Sequence, residues 1–384
     1  MLMFHTATEE EIKRGYTTDI YFRRTKEVVK RKNLDRKVIA EVSVSSLPEG
    51  YTWGILAGIE EVAKLLEEYN INVYSMPEGS IFYEREPVLR IEGYYSEFCE
   101  LETPILGLIC QASGIATKAA RFKKLAGEKP LLSFGIRRMH PAISPMIDRS
   151  AYIGGCDGFS GIAAEKLLNE KASGTMPHAF IIIVGDQKLA WTYYDKALPE
   201  NIPRIALVDT YCDEKMEAVW AAETIKDLNG VRIDTPGSRR GDIRKIVEEV
   251  RWELDIRGYK NVKIFVSGGI KEEDIVNLKL VDGFGVGTSI SAASTIDFAL
   301  DIVEIDGMPV AKRGKLGGKK LVYRCSACLT GQVIHDKEKE KPVCNKCSNT
   351  MEEILLPLIK NGKLVAELPE AEKIREKVLE QLKI

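Results

Sequence analysis

The 384-residue chain has no strong charge of either sign, no long hydrophobic run and only four histidines. Lysine plus arginine number 55 and aspartate plus glutamate 57, a formal charge of −2. Without a basic field, binding to bulk nucleic acid is not expected. The longest solidly apolar run, around residues 179–184, is far shorter than a membrane span. The N-terminal stretch MLMFHTATEEEIKRGY lacks the apolar core of a signal peptide, so a soluble, cytoplasmic protein is expected. Glutamine is scarce against abundant glutamate and lysine, a composition common in heat-adapted proteins. There is no sequence repeat and no low-complexity segment, and no Ser/His or Cys/His grouping reads as a nucleophile system. What remains is a chain with enough length for two or three domains and an ample core.

The eight cysteines fall into two populations. Cys99, Cys110, Cys156 and Cys212 are scattered and read as free thiols. Cys325, Cys328, Cys344 and Cys347 form C-x2-C-x15-C-x2-C, the spacing of a zinc ribbon. An all-cysteine shell leaves no open position, so the expected Zn2+ is structural. His335, in the intervening loop, is left outside that shell. Disulfides are disfavoured in a reducing cytoplasm.

The hydrophobic periodicity divides the chain in three. Residues 1–112 read as a small α+β domain: a strand over 37–46, a helix over 53–68, and strands over 72–75, 80–83 and 88–92. A long helix over 103–125 follows, with Pro104 near its first turn and lysines near its end. Residues 113–297 then alternate seven short strands with helices, at 131–136, 157–159, 172–175, 204–209, 231–234, 262–266 and 283–286. That pattern predicts a parallel, closed or irregular barrel. Residues 298–384 hold further strands, at 302–304, 308–312 and 319–324, expected to complete the N-terminal sheet. The cysteine module and a terminal helix over 370–383 follow. The fold class expected is therefore α/β: an irregular (β/α) barrel, an N-terminal α+β sandwich-like domain and a C-terminal four-cysteine, zinc-ribbon-like module.

The most informative stretch is 261–290, NVKIFVSGGIKEEDIVNLKLVDGFGVGTSI. It is strand, glycine loop and helix, followed by a second strand and glycine loop. Ser267, Gly268, Gly269, Gly285, Gly287 and Thr288 at strand ends suit a cup of backbone N–H groups around a phosphate. Polar residues cluster after the other strands too: Arg137, Arg138 and His140, then Asp157 and Ser160, Thr175 and His178, Asp209, and Arg232 with Asp234. Arginine forks bind phosphate oxygens, and carboxylates bind ribose hydroxyls or Mg2+. Taken singly, Asp157, Asp209 and Asp234 would read as caps of turns or helices. A shared rim position turns them into candidates for phosphosugar chemistry.

Motifs along nearly the whole chain carry a resemblance: TTDIY, QASGIAT, FGIRRMHP, GGCDGFSG, SGTMPH, LVDTY, VRIDTPGSRRGD, VSGGI, GFGVGTS, VAKRGKLGGKK and the CxxC pair. In this order they resemble nicotinate phosphoribosyltransferases of the shorter prokaryotic form, with the type II phosphoribosyltransferase fold. The resemblance implies transfer of 5-phosphoribosyl from phosphoribosyl pyrophosphate to nicotinate. The products would be nicotinate mononucleotide and pyrophosphate, as in NAD salvage, with ATP as a coupled substrate and Mg2+ on the pyrophosphate. It also implies a homo-oligomer whose site is shared between subunits.

By that resemblance Tyr21, from a neighbouring subunit, and Phe134 sandwich the pyridine ring. Arg137 and Arg138 meet phosphate and carboxylate, Asp157 orients the ring-side group, and His178 accepts a phosphoryl group from ATP. Asp209 and Asp234, with Arg232, engage ribose and pyrophosphate–Mg2+, and the glycines hold the 5-phosphate. His140, Thr175, Ser267 and Thr288 line the same substrate site. One departure is the long basic loop PGSRRGD, where other branches have a compact Arg-x-Asp-Ser-Gly-Asp, so Arg239 and Arg240 receive no role. Rival readings are a quinolinate phosphoribosyltransferase, a nicotinamide-specific enzyme, and a non-catalytic zinc-ribbon nucleic-acid-binding protein.

Overall fold

A computed structural model describes residues 4–239, 241–338 and 340–384. Two compact units result: one comprises the chain up to Ala120 and from Ala293 to Ile384, the other Arg121–Ala292. The boundary falls inside the long helix Glu102–Ala126.

The first unit is built on an antiparallel sheet of seven strands. Their order is Met308–Pro309, Phe298–Ile305, Lys37–Val44, Pro87–Tyr94, Asn72–Ser75, Leu356–Lys360 and Lys363–Leu364. Val38, Ala40, Val42 and Val44 alternate inward along Lys37–Val44, as a half-buried strand requires. They meet Leu56, Ile91, Phe98, Ile109 and Phe298 in one core. Phe298–Ile305 runs beside Lys37–Val44, pairing Val44 with Phe298 and Val38 with Ile305. Lys320–Arg324 goes elsewhere, to a three-stranded sheet with Gly331–His335 and Glu352–Glu353 that carries the cysteines.

The helix expected over 53–68 is shorter. Gly54–Ile55 pairs with Ile81–Phe82, and the helix is Ile59–Leu66. Two glycines set this boundary. A β-carbon on Gly54 would stand 2.3 Å from the Phe82 ring. Gly58, with φ +93°, precedes the helix in a left-handed conformation and lies so close to the Leu108 carbonyl that no side chain fits.

The second unit contains a parallel sheet of six strands: β1 (Leu131–Ser133), β2 (Gly158–Phe159), β3 (Ile205–Leu207), β4 (Gly230–Ile233), β5 (Lys263–Val266) and β6 (Gly283–Val286). Their order is β2-β1-β6-β5-β4-β3, and every neighbouring pair is parallel. Among the described residues β2 and β3 are the two edges, so the sheet is a curled half-barrel with six strands rather than seven. The expected strand at 172–175 does not form. Its backbone N–H at Ser173 bonds Phe159 O (2.7 Å). The polar groups beyond it turn to a side chain instead. Arg232 Nε donates to Thr175 Oγ1 (2.8 Å) and Arg232 Nη2 to Met176 O (3.0 Å).

The amino-terminal edge of this sheet is tied by one recurring device. Asp157, Asn229 and Asp282 each precede a glycine that begins β2, β4 or β6. Each accepts a backbone N–H at the start of the neighbouring strand: Asp157 Oδ2 from Leu131 (2.8 Å), Asn229 Oδ1 from Arg204 (2.6 Å) and Asp282 Oδ2 from Ile264 (2.7 Å). These bonds satisfy donors that the short ladders leave open.

Candidate functional site

The strands β3, β4 and β5 end side by side, and each ends in a polar residue. Asp209 follows β3, Asp234 follows β4 and Ser267 follows β5. Parallel register therefore brings them together at the carboxyl edge, where α/β barrels carry their chemistry. The Asp234 N–H donates to Asp209 Oδ2 (2.7 Å), and the Thr235 hydroxyl donates to the same oxygen (3.0 Å). Ser267 Oγ donates to Asp234 Oδ1 (2.8 Å) and accepts from Arg232 Nη1 (3.0 Å). Arg232 Nη1 also lies 3.3 Å from Asp234 Oδ2. Arg232 is thus held by Thr175, Met176 and Ser267 with its charge beside Asp234.

His178 begins the helix His178–Val184 and faces this pair of carboxylates. Its Nδ1 is 3.1 Å from Thr210 Oγ1, while Nε2 stands 3.7 Å from Asp209 Oδ1 and 3.8 Å from Asp234 Oδ2. Those last distances exceed a hydrogen bond and leave Nε2 open toward the carboxylates. The Asp209 side chain is only 2 % exposed. Burial pushes its carboxyl upward, against His178 and its hydrogen bonds from Asp234 and Thr235. Its Oδ1 is buried without a hydrogen-bond partner. An orphaned carboxylate oxygen beside a second carboxylate is a donor set suited to a hard cation such as Mg2+.

The loop after β3 is fixed from beneath by Glu217, a residue sequence reasoning missed. Fully buried, it accepts the backbone N–H groups of Thr210, Tyr211 and Cys212 at 2.7–3.0 Å. Its signal was an acid one turn after the helix cap Asp213. On the far side of the rim, Phe134 lies over Gly285. A β-carbon on Gly285 would stand 2.6 Å from Phe134 Cδ2 and 3.1 Å from Ser267 Cβ. Gly268 (φ +83°) and Gly269 (φ +72°) are consecutive left-handed residues, a backbone that side chains resist. A β-carbon on Gly268 would also come within 3.0 Å of Asp234. Gly287 and Thr288 open a further turn after β6.

Several expected site residues lie apart from this cluster. Asp157 is the clearest correction. It precedes β2, so it stands at the amino-terminal edge, where it bonds Lys123 Nζ (2.8 Å) and the start of β1. A residue there cannot orient a group at the opposite edge. Ser160 follows β2 at the carboxyl edge instead. Arg137 and Arg138 are exposed on the turn Ile136–Arg138, and neither has an ion-pair partner among the described residues. His140 caps the next turn through Nδ1, accepting from Ala142 N–H (3.2 Å). Tyr21 belongs to the first unit and is 57 % exposed on the helix Ile20–Arg31. Arg239 is exposed, and Arg240 lies outside the described residues.

The four cysteines converge in the first unit. Two matching knuckles hold them. Leu329 N–H bonds Cys325 O and Ser348 N–H bonds Cys344 O, with Leu329 and Ser348 both at positive φ. The Sγ–Sγ distances are 3.4 Å for Cys325–Cys347, 3.5 Å for Cys328–Cys344 and 3.6 Å for Cys328–Cys347. These separations are far beyond a disulfide, and all four sulfurs lie within 4.8 Å of one another. They are close to the edge of a tetrahedron with metal–sulfur bonds of about 2.3 Å. The Thr330 hydroxyl and backbone lower the Cys328 thiol to about 6, so a thiolate forms readily. His335 is not in this shell. It sits beside Asp336, Nδ1 to Oδ1 3.3 Å.

The half-barrel, its partner unit and the acid–arginine rim define a phosphoribosyltransferase architecture. Two family models match consecutive stretches: quinolinate phosphoribosyl transferase N-terminal domain over residues 19–113 and its C-terminal domain over 115–301. A solved structure of nicotinate-nucleotide pyrophosphorylase from Pyrococcus furiosus is 57 % identical, with a TM-score of 0.98 over 100 % of this chain and 98 % of that one. The chain belongs to this family of phosphoribosyltransferases. It is also 29 % identical to nicotinate phosphoribosyltransferase pncB1 of Mycobacterium tuberculosis, over 87 % of this chain and 82 % of that protein. Human nicotinic acid phosphoribosyltransferase shares the fold at 21 % identity, with a TM-score of 0.73 over 95 % and 93 % of the two chains.

Proposed function

We propose that the protein transfers 5-phosphoribosyl from phosphoribosyl pyrophosphate to nicotinate, giving nicotinate mononucleotide and pyrophosphate in NAD biosynthesis. The observation that carries this reading is the Asp209–Asp234–Arg232–His178 group at one rim, facing a platform made by Phe134 on Gly285. The nicotinate names of relatives such as the mycobacterial protein favour that base over quinolinate.

The chemistry needs a nucleophile in line with C1 of the ribose and a site for a departing polyanion. A pyridine nitrogen carries its own lone pair, so no general base is required. Phe134 supplies one face for the ring. Ser160, a neutral hydroxyl at the end of β2, places no carboxylate against that of nicotinate. Arg137 and Arg138, without ion-pair partners among the described residues, are free to bind anionic groups. Asp234 and Asp209 accept ribose hydroxyls, and the glycines after β5 and β6 let backbone N–H groups approach the 5-phosphate. Mg2+, held by Asp209 and Asp234, would offset charge on the pyrophosphate. Arg232 keeps Asp234 ionised and oriented.

His178 fits a coupled role for ATP. Thr210 fixes its Nδ1, and Nε2 is left to accept a phosphoryl group. The four cysteines would hold a structural Zn2+. Incubation with nicotinate, phosphoribosyl pyrophosphate and Mg2+ tests the reading. Nicotinate mononucleotide and pyrophosphate should form in equal amounts, and formation of neither would overturn it.

A further inference from the structure

One buried acid takes no part in the chemistry above. Asp148 lies in the middle of the helix Ser144–Ile153 and is fully buried. It makes no ion pair among the described residues. Instead Oδ1 accepts from Ser133 Oγ (3.3 Å) and Oδ2 from Gly161 N–H (3.0 Å). Ser133 is the last residue of β1, and Gly161 follows β2 by two residues. An uncompensated buried carboxyl is costly, and burial raises this one to about 6.

The ladder between β1 and β2 has only two rungs, Leu132 with Gly158 and Ser133 with Phe159. Beyond it come Phe134 and Ser160, the platform and the hydroxyl at the base end of the site. No rung of that ladder sets these two residues relative to each other. Asp148 supplies the missing link, with one oxygen on the residue before Phe134 and one on the residue after Ser160. Gly161 shows how closely the acid is seated. Its φ of −88° suits any residue, yet a β-carbon there would stand 2.3 Å from Asp148 Oδ2. The glycine is needed for the acid rather than for the backbone.

We propose that Asp148 is a positioning residue for the base-binding half of the site, fastening the carboxyl ends of β1 and β2 so that Phe134 and Ser160 keep a fixed spacing. The proposal rests on the transferase reading above. In Asp148→Ala, KM for the pyridine base should rise about 10-fold or more, because small misplacements of binding groups are costly, while KM for phosphoribosyl pyrophosphate stays within about 2-fold. Asp148→Asn keeps an acceptor for Gly161 and a partner for Ser133, and should lie within about 3-fold of wild type. Gly161→Ala, which displaces the acid, should shift the base KM in the same direction as Asp148→Ala.

Equal changes in both KM values, or a fall in thermal stability with the base KM unmoved, would overturn the proposal. If Asp148→Ala does not fold, Ser133→Ala decides. It removes one bond and should raise the base KM alone by about 2- to 5-fold, and no change would overturn the proposal. Wild type runs alongside with each pyridine base. Absence of any turnover there refutes the transferase reading itself. Turnover with an unchanged base KM in the variants refutes only the role of Asp148.

Discussion

Phe134 lies across Gly285 so closely that a β-carbon on the glycine would stand 2.6 Å from Phe134 Cδ2. The ring and the glycine therefore act as a pair, and any side chain at 285 must lift the ring off its bed. Gly285→Ala should raise KM for the base about 10-fold through misplacement of the platform. Phosphoribosyl pyrophosphate binding, measured by calorimetry, should weaken much less. Equal weakening of both would mean that Phe134 does not serve the base.

His178 has a different place, between Thr210 and the two carboxylates. His178→Ala should abolish stimulation by ATP while leaving basal transfer within about 10-fold of wild type, the scale of a lost orienting group. Incubation with γ-labelled ATP should label wild type with an acid-labile, base-stable phosphate that the variant lacks. Loss of both activities in equal measure would contradict the phospho-acceptor role.

The cysteine cluster should contain one metal ion per chain, read by elemental analysis. Cys325→Ser, or prolonged chelation, should lower the melting temperature by roughly 10 °C, since removing a structural metal costs several kcal/mol. Wild-type kcat should persist below the new transition. A metal-free wild-type protein with an unchanged melting temperature would refute a structural zinc.

Glu102 makes a prediction in pH. Burial raises its carboxyl to about 7, with Asp301 adding to the shift, Lys312 opposing it and Asp19 adding to it. The folded state then holds a proton that the unfolded chain has already released. Such a group stabilises fully below about pH 4, and its contribution fades as pH rises through about 7. Against Glu102→Gln, wild type should therefore lose melting temperature progressively between about pH 5 and 8. A constant difference between the two proteins across that window would refute the shift.

The positions of Asp209, Asp234 and Ser267 were legible because each directly follows an apolar, β-branched run, and strand direction fixes which edge they reach. The cysteines were legible from spacing alone. Asp157 was not. Its strand, Gly158–Phe159, is two residues long, too short to show which end an adjacent acid occupies. The Asp-Gly and Asn-Gly pairs that open β2, β4 and β6 carry that information, but only once the neighbouring strand starts are known. The missing strand at 172–175 has a similar cause. Arg232, far along the chain, takes the polar groups that a ladder would use. Asp148 and Glu217 act on backbone N–H groups of loops, and local patterns do not reveal such partners.

The most direct test is the relative kcat/KM for nicotinate, quinolinate and nicotinamide, each with phosphoribosyl pyrophosphate and with or without ATP. Nicotinate should be preferred by at least about 100-fold, because a site built around one carboxylate leaves polar groups unpaired with the wrong base. Turnover of quinolinate alone, with release of CO2, would contradict the account.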